Sequence, residues 1–326
     1  MTSAIIIAES GADSVVGRIA GNGSSQLQFE SARPVPLGFH EVLGRSVTQR
    51  LCDRLRAAGI GNISMVSEES NPSNAGETDA MGLARIAKVV PDNQARSGDV
   101  LILGSDTYID FNPAELIQYH REQGKSVTRA FDELGPLVLW VVDAERFPWS
   151  DDPDFLATGE VDTAYYRVEG YVNRLQSLRD LRTLATDALA GRGQLRPIGF
   201  EVRPGVWMAE DVEIEKSSRI VAPAFLGRGV SVSNQCLITR GSAIESGSFV
   251  DYGTIVEDSS ILSNTYVGIG LDVSHSVVAG CTLFNLGRNV LLEISDPALM
   301  RPNVKDEAVF SRKDEFGARA GAQSQA

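Results

Sequence analysis

The residue best placed to do chemistry is Asp106, which follows an apolar run that ends at Gly104. The run Val100–Gly104 (VLILG) is typical of a buried strand in a parallel sheet. A carboxylate at the carboxyl end of such a strand faces the crevice in which α/β proteins bind ligands, and it can hold a divalent cation. The same position also suits an aspartate that caps a turn with Thr107, and the residues alone leave both roles open.

Three histidines and three cysteines supply few other candidates for chemistry. His275 could act as a general base, although an isolated histidine more commonly has a structural role. Cys52, Cys236 and Cys281 form no C-x-x-C pair, which argues against a zinc site and against a disulfide framework. We expect Cys236 and Cys281 to contribute to packing only.

Short apolar runs alternate with amphipathic segments in the first half of the chain, which predicts an α/β layer fold with a mostly parallel sheet. The predicted strands are Ala4–Ala8, Ile63–Ser67, Val100–Gly104 and Leu137–Val142, and the predicted helices are Val47–Ala58, Met81–Val90, Pro113–Gln123 and Leu178–Ala190. Asn112 directly before Pro113 is a typical helix start. We assign residues 1–195 to this domain.

From Val206 onward the sequence repeats with a period of six residues. Small or β-branched residues recur at every sixth position, and a large apolar residue follows each of them two positions later. These apolar residues are Met208, Ile214, Ile220, Leu226, Val232, Ile238, Ile244, Val250, Val256 and Leu262. A helix turns about every 3.6 residues and cannot hold this period, whereas a parallel β-helix buries one apolar residue on each flat face. The pattern predicts a β-helix over residues 203–291, with a slip near Val267–Asp272 and less regular coils at Ser274–Ala279 and Thr282–Leu286.

An α/β domain followed by hexapeptide repeats resembles the sugar-1-phosphate nucleotidyltransferases. This family includes N-acetylglucosamine-1-phosphate uridylyltransferase and the mannose-1-phosphate and glucose-1-phosphate pyrophosphorylases. Three segments carry the resemblance, namely Pro34–Ile60 with its helix ending in Ala-Gly-Ile, Leu101–Gly124 with its strand, Gly-x-Asp and helix, and Val168–Leu181 with its Asn-Arg-x-Gln. The resemblance implies a Rossmann-like nucleotidyltransferase domain followed by a left-handed parallel β-helix.

The resemblance also implies an activity. In this family a sugar phosphate attacks the α-phosphate of a nucleoside triphosphate and pyrophosphate leaves, while Mg²⁺ neutralises charge. By the same resemblance Asp106 is a catalytic residue and a metal ligand, and Asn173 is a second metal ligand in the cofactor site. Arg33 is the second catalytic residue and would contact phosphate, and Arg18 belongs to the cofactor-binding site. The relatives further imply a homo-oligomer, either a dimer or a trimer, that forms through the β-helix.

The loop after the first strand departs from the family pattern, which is rich in glycine and carries an arginine and a lysine. Here Glu9 and Asp13 place negative charge where a triphosphate would lie, and Arg33 stands where the family has lysine. Asn173 reaches the second ligand position only if the alignment is shifted by one residue. Three hypotheses therefore stay open: an active nucleotidyltransferase, a catalytically silent relative that acts as a regulatory or assembly partner, and a hexapeptide-repeat acyltransferase with His275 as its base.

The chain has a net charge of −13, so it would repel a phosphate backbone, and we expect no binding to nucleic acid. Its N-terminal apolar run is too short for a signal peptide or a membrane span, and no other stretch approaches the length of a span. We therefore expect a cytoplasmic protein without membrane contact. Residues 303–326 have the composition of a polar, disordered tail.

Overall fold

The computed structural model describes residues 2–10, 35–69, 82, 83, 86, 90, 98–149 and 161–303. The elements of the first part of the chain are β1 Ser3–Ser10, α1 Val47–Ala57, β2 Asn62–Glu69, β3 Asp99–Gly104, β4 Thr107–Ile109, α2 Pro113–Gln123, β5 Val127–Asp132, β6 Gly135–Asp143, β7 Thr163–Arg167, β8 Val172–Arg174 and α3 Leu178–Leu189. Six strands form one sheet in the order β2-β1-β3-β6-β5-β7, and β4 pairs with β8 in a second, two-stranded sheet. Five strands of the large sheet run in one direction and β6 runs against them, which confirms a mostly parallel sheet.

The central strands β1 and β3 are buried on both faces, which explains their continuous apolar sequences. Ile6 and Leu101 point into a core that α1 and α2 cover. Ile5 and Ile102 point into a second core, which also contains Trp140. Most of the predicted helix Met81–Val90 lies outside the described residues.

A polar side chain fixes the start of each of the helices α1, α2 and α3. Ser46 and Gln49 form a capping box at α1, in which each side chain accepts the backbone N–H of the other residue at 3.2 Å. Asn112 accepts the N–H of Ala114 at 3.1 Å, directly before the proline that opens α2. Ser177 caps α3 in the same way. These caps explain why the predicted helix starts agree with the structure.

The second part of the chain forms a parallel β-helix with three flat faces. Its strands are β9 Phe200–Arg203, β10 Val206–Met208, β11 Glu213–Ile214, β12 Arg219–Ile220, β13 Ala224–Leu226, β14 Ser231–Val232, β15 Leu237–Thr239, β16 Ser242–Ile244, β17 Phe249–Val250, β18 Ile255–Glu257, β19 Ser260–Ile261, β20 Thr265–Val267, β21 Asp272–Ser274, β22 Ser276–Ala279, β23 Thr282–Asn285, β24 Val290–Glu293 and β25 Met300–Pro302. Strands of successive coils pair in parallel within three sheets of eight, five and four strands, and these counts include the strands β9, β23, β24 and β25, which join through antiparallel pairs. The repeated large apolar residues from Ile220 to Val256 fill the interior, as the period of six predicts.

The repeat loses one residue earlier than the sequence predicts. Paired strands up to β15 and β18 are eighteen residues apart, whereas those from β16 and β19 onward are seventeen residues apart. The interior residue after Val256 is therefore Ile261, and Leu262 packs in the separate core against α3. Instead of the slip expected near Val267–Asp272, one residue is missing between Val256 and Ile261 and another between Val273 and Val278, because two coil corners are a residue shorter.

Hydroxyl side chains at the small positions of the repeat link neighbouring coils. The hydroxyl of Ser248 donates to the carbonyl of Leu262 at 2.9 Å and accepts the N–H of Thr265 at 3.2 Å. Thr254 and Ser242 make equivalent pairs of bonds in their own coils. These positions are polar although they are buried, because each hydroxyl satisfies two backbone groups of the next coil.

Antiparallel strands cover parts of both ends of the coil stack. At the first end β9 pairs antiparallel with β10. At the other end β23 pairs antiparallel with β22, and β24 pairs antiparallel with β23, which extends the same sheet. The last strand, β25, pairs antiparallel with β20. The segment Thr282–Leu286, expected to be a further coil, thus contains the antiparallel strand β23. Residues 304–326 of the predicted tail lie outside the described residues.

A buried carboxylate joins the β-helix to the α/β part. Glu245 is 2% exposed, and its two oxygens accept the N–H groups of Leu43 and Gly44 at 2.8 and 2.9 Å. Leu43 and Gly44 both have left-handed backbones, with φ of 54° and 86°, in the loop before α1. A second carboxylate, Glu41, accepts the N–H of Ser246 at 3.2 Å and the hydroxyl of Ser263 at 2.9 Å. Carboxylate bonds therefore cross this junction in both directions.

We expect the Glu245 contact to make stability depend on pH. Burial raises the pKa of Glu245 from its ordinary 4.5 to about 7, although the two N–H groups oppose this rise. Between these two pKa values the folded state holds a proton that the unfolded state has released. The contribution of Glu245 to the free energy of unfolding is therefore full below pH 4.5 and is lost as the pH rises to about 7. The loss is on the order of 3 kcal/mol.

The measurement is urea unfolding of the wild type and of Glu245→Gln at pH values between 5 and 8. Other carboxylates titrate in both proteins, so the difference between their free energies of unfolding isolates this group. We expect the wild type to lose stability relative to the glutamine variant as the pH rises. A constant difference would contradict the prediction.

Candidate active site

Asp106 lies at the edge of the large sheet where the parallel strands β1, β3, β5 and β7 end. It occupies the turn between β3 and β4. The N–H of Ser105 donates to the carbonyl of Ile7 at 2.8 Å and holds this turn against β1. Asp106 is thus positioned beside two adjacent parallel strands, at the edge where α/β proteins bind ligands.

A neighbouring side-chain hydroxyl and a backbone N–H orient the carboxylate of Asp106. Its Oδ1 accepts the hydroxyl of Ser105 at 3.1 Å and the N–H of Gly38 at 3.4 Å. Gly38 belongs to the short 3-10 helix Leu37–Phe39, and its carbonyl accepts the hydroxyl of Thr48 in α1 at 2.9 Å. The turn that carries Asp106 is therefore linked to the start of α1.

Replacing Gly38 with alanine is expected to destabilise this turn. A Cβ at Gly38 would lie 1.9 Å from the carbonyl oxygen of Ser105, a backbone atom that cannot move alone. We expect a loss of about 2–3 kcal/mol in the free energy of unfolding, as for overpacked positions elsewhere. Gly61→Ala is the matched control, since a Cβ there meets nothing within 4 Å. Equal urea midpoints for the two variants would contradict the expectation.

Asn173 lies on the side of the β4–β8 ribbon that faces α3. It pairs with Tyr108 across the two strands, and Tyr108 packs in the core that α3 shares with the β-helix. Its Nδ2 donates to the carbonyl of Asp180 in α3 at 3.1 Å, and its buried Oδ1 has no hydrogen-bond partner in the described part of the chain. The role of Asn173 as a metal ligand, which the resemblance implies, stays a prediction.

The residues on either side of Asn173 alternate to the opposite face of the ribbon. Val172 packs against the core of the α/β sheet. Arg174 forms a two-pronged ion pair with Asp132, the last residue of β5, at 2.8 and 2.9 Å. This pair lies at the same edge of the sheet as Asp106. Sequence reasoning missed this ion pair because β5 lacks a long apolar run. The one signal that could have indicated it is Asp132, an aspartate shortly before the turn at Gly135.

Magnesium is the cation that the resemblance implies, and one or two carboxylates with substrate phosphates and water are a sufficient set of ligands for it. Asp106 fits this requirement by its chemistry and its place at the sheet edge. Asn173 is bound to α3 through Nδ2, and its amide oxygen, the atom that would ligate a cation, has no partner among the described residues. Within the described ranges, no group of three or more His, Cys, Asp or Glu side chains could hold a metal by itself.

The arginines predicted to contact phosphate, Arg18 and Arg33, lie outside the described residues, as does Asp13. Glu9 belongs to β1, one residue before the strand ends at Ser10. The segment that carries both arginines starts directly after this strand. It ends at residue 34, shortly before Gly38, which contacts Asp106.

A cavity of about 980 Å³ lies beside the ends of β4 and β7. Asp110 in its wall accepts the hydroxyl of Tyr108 and the N–H of Gln194, each at 2.6 Å, and pairs with Arg54 at 3.1 Å. Burial, together with the bond to Asp110, raises the pKa of Tyr108 and keeps its hydroxyl protonated. Glu169, after β7, also lines the cavity. The volume is sufficient for a sugar phosphate or a larger ligand.

Comparisons with known proteins give a distant structural likeness. No family model matches the chain, and no curated protein matches it. Among solved structures, the chain is similar to a Bacillus anthracis protein assigned as a glucose-1-phosphate thymidylyltransferase and crystallised in complex with sucrose. The identity is 11% and the TM-score 0.38, over 57% of this chain and 96% of the other. A likeness this distant bears on neither activity nor substrate.

In the described parts of the chain, no helix has both the length and the apolar character needed to cross a membrane.

Proposed function

We propose that the protein transfers a nucleotidyl group from a nucleoside triphosphate to a sugar phosphate. The observation that carries the proposal is the position of Asp106 at the carboxyl ends of β1 and β3. This is the position at which the sequence resemblance to sugar-1-phosphate nucleotidyltransferases puts a catalytic carboxylate. Arg33 and Arg18, which the resemblance puts near the phosphates, are the candidates for contacting the triphosphate.

In the proposed reaction an oxygen of the sugar phosphate attacks the α-phosphorus of the nucleotide. The bond from the α-phosphorus to the bridging oxygen breaks, and pyrophosphate leaves with the electron pair. Asp106 would hold Mg²⁺, which neutralises charge on the phosphates when it is bound. Asp106 is kept in place by Gly38 and Ser105. Arg174, fixed by Asp132, adds a positioned cation at the same edge.

A second candidate function is that of a catalytically silent relative that serves as a regulatory or assembly partner. The second metal ligand supports it, because Asn173 reaches that position only if the alignment with the family is shifted by one residue. The negative residues Glu9 and Asp13 support it as well, since they would repel a triphosphate.

Titration calorimetry with ATP, GTP, CTP, UTP and dTTP, each with and without Mg²⁺, separates the two candidates. An active enzyme is expected to bind at least one triphosphate more tightly with Mg²⁺, and to release pyrophosphate when a sugar 1-phosphate is added. Lack of binding to all five would reject the first candidate and leave the second.

We also propose that the protein forms a homo-oligomer through the β-helix. The edge strand β9 exposes Phe200 at 72% and Val202 at 53%, and apolar side chains on an open edge favour association. Sedimentation equilibrium at micromolar concentration is expected to give a mass above the 35.1 kDa of one chain. A mass equal to one chain would contradict the proposal.

A further inference from the structure

A second cavity, of about 300 Å³, lies between α3 and the corners of the β-helix. Arg179 and Arg182 of α3 line it from one side, and Asp258 and His275 of successive coils line it from the other. None of these residues belongs to the edge of the sheet that carries Asp106. The cavity is therefore separate from the candidate active site.

Asp258 is bound on both of its oxygens and fixes the orientation of the residues around it. Its Oδ1 accepts from Nη2 of Arg182 at 2.9 Å, and its Oδ2 lies 2.5 Å from Nδ1 of His275. Burial alone would raise the pKa of Asp258, but these two bonds outweigh burial and lower it. The carboxylate therefore stays charged and directs the proton of His275 to Nδ1. When the ring carries a second proton, the other ring nitrogen, Nε2, can donate that proton to a ligand in the cavity that His275 lines.

Arg182 anchors this arrangement from the helix. Its side chain is 3% exposed, and Nη1 donates to the carbonyl of Gly241 at 2.8 Å. Its Nε is buried and has no hydrogen-bond partner in the described part of the chain. The side chains that face the cavity are therefore held in place before any ligand arrives, which lowers the entropy cost of binding.

The cavity has an excess of positive charge in a chain whose net charge is −13. The charge of Arg182 is balanced by Asp258, whereas the hydrogen bond of Arg179 runs to a neutral carbonyl, that of Leu286. Among the described residues no carboxylate lies within ion-pair distance of Arg179. A guanidinium and the Nε2–H group of an imidazolium ring that meet in one small cavity can both donate to the oxygens of a phosphate group.

We propose that this cavity binds a small phosphate-bearing molecule through Arg179 and Nε2 of His275. Inorganic phosphate and the phosphate of a sugar phosphate share the chemistry that the cavity recognises. A cavity of about 300 Å³ accommodates either of them. The proposal does not depend on nucleotidyl transfer at Asp106, because it uses different residues.

The test is an NMR titration of the histidine ring resonances. The chain has three histidines, so the signal of His275 is identified by its loss in His275→Asn. The probes are inorganic phosphate, glucose 1-phosphate and, as the uncharged control, glucose. We expect both phosphates to shift the His275 signal and glucose to leave it unchanged. Tighter binding of glucose 1-phosphate than of inorganic phosphate identifies a sugar phosphate as the preferred ligand. Equal binding of the two shows that the cavity recognises the phosphate group alone.

Arg179→Gln is expected to weaken the phosphate response of His275 about tenfold, since it removes one charge-assisted contact. Arg228→Gln is the matched control, because Arg228 is an exposed arginine of the β-helix that does not line the cavity. An unmoved His275 signal at millimolar phosphate, or equal weakening by both variants, would overturn the proposal. Asp106→Asn should leave the His275 response intact, so failure here is distinguishable from failure of the proposed reaction.

Discussion

Replacing Asp106 with alanine is expected to reduce nucleotidyl transfer by about a thousandfold or more. The variant removes the carboxylate that the proposed reaction needs to hold a cation against the phosphates. The substrate can still bind through other groups, so the loss should fall on turnover more than on binding. The measurement is the rate of pyrophosphate release with the triphosphate that calorimetry identifies.

Two further variants separate charge from folding. Asp106→Asn keeps an acceptor oxygen for the N–H of Gly38, so it should be as inactive as the alanine variant while unfolding like the wild type. Asp162→Ala removes an exposed carboxylate paired with Lys125, just before β7 begins, and should retain full activity. If Asp106→Ala turned over normally, the proposed reaction would lose its central residue. In a silent protein the alanine variant should change stability by only a few tenths of a kcal/mol.

Replacing Glu245 with alanine is expected to lower the free energy of unfolding by about 3–5 kcal/mol. The N–H groups of Leu43 and Gly44 would lose the carboxylate that satisfies them, and Leu43 is fully buried. An unsatisfied buried donor costs about 1–3 kcal/mol, and the missing side chain leaves a cavity as well. The measurement is urea unfolding followed both by far-ultraviolet circular dichroism and by tryptophan fluorescence.

Two control variants test whether the loss of stability comes from the carboxylate of Glu245. Glu245→Gln keeps one acceptor oxygen and should cost less than the alanine variant. Glu213→Ala removes an exposed glutamate of β11 and should change stability by about 0.5 kcal/mol at most. A Glu245→Ala variant as stable as Glu213→Ala would show that the junction does not depend on this carboxylate.

The parts of the fold that the sequence predicts are those with strong local signals. Apolar runs locate β1 and β3, and the caps at Ser46, Asn112 and Ser177 locate the helices. The period of six locates the β-helix because every coil repeats the same burial. The one-residue deletion after Val256 escapes this reasoning, since Leu262 is as apolar as the interior residue Ile261.

The candidate site is harder to predict because it depends on short strands. The strand β8 has three residues, and a shift of one residue in such a strand exchanges its two faces. The sequence alone therefore cannot decide whether Asn173 or Arg174 faces the sheet edge. The pairing of Asp132 with Arg174, and that of Glu245 with Leu43 and Gly44, joins residues far apart in the chain. No local pattern encodes such contacts.

The reversed strands at the ends of the β-helix limit how copies of the protein can assemble. A bare stack of parallel coils offers each end as a template, onto which the first coil of another copy could add and so propagate a filament. On the sheet that contains β9 and β24, the outer strand β9 and the strand β23 run against the coils, and β25 runs against the coils at one end of a second sheet. Head-to-tail addition of another copy would therefore not continue the parallel hydrogen-bond pattern of the coils. We expect assemblies of this protein to be closed and finite rather than open filaments of stacked coils.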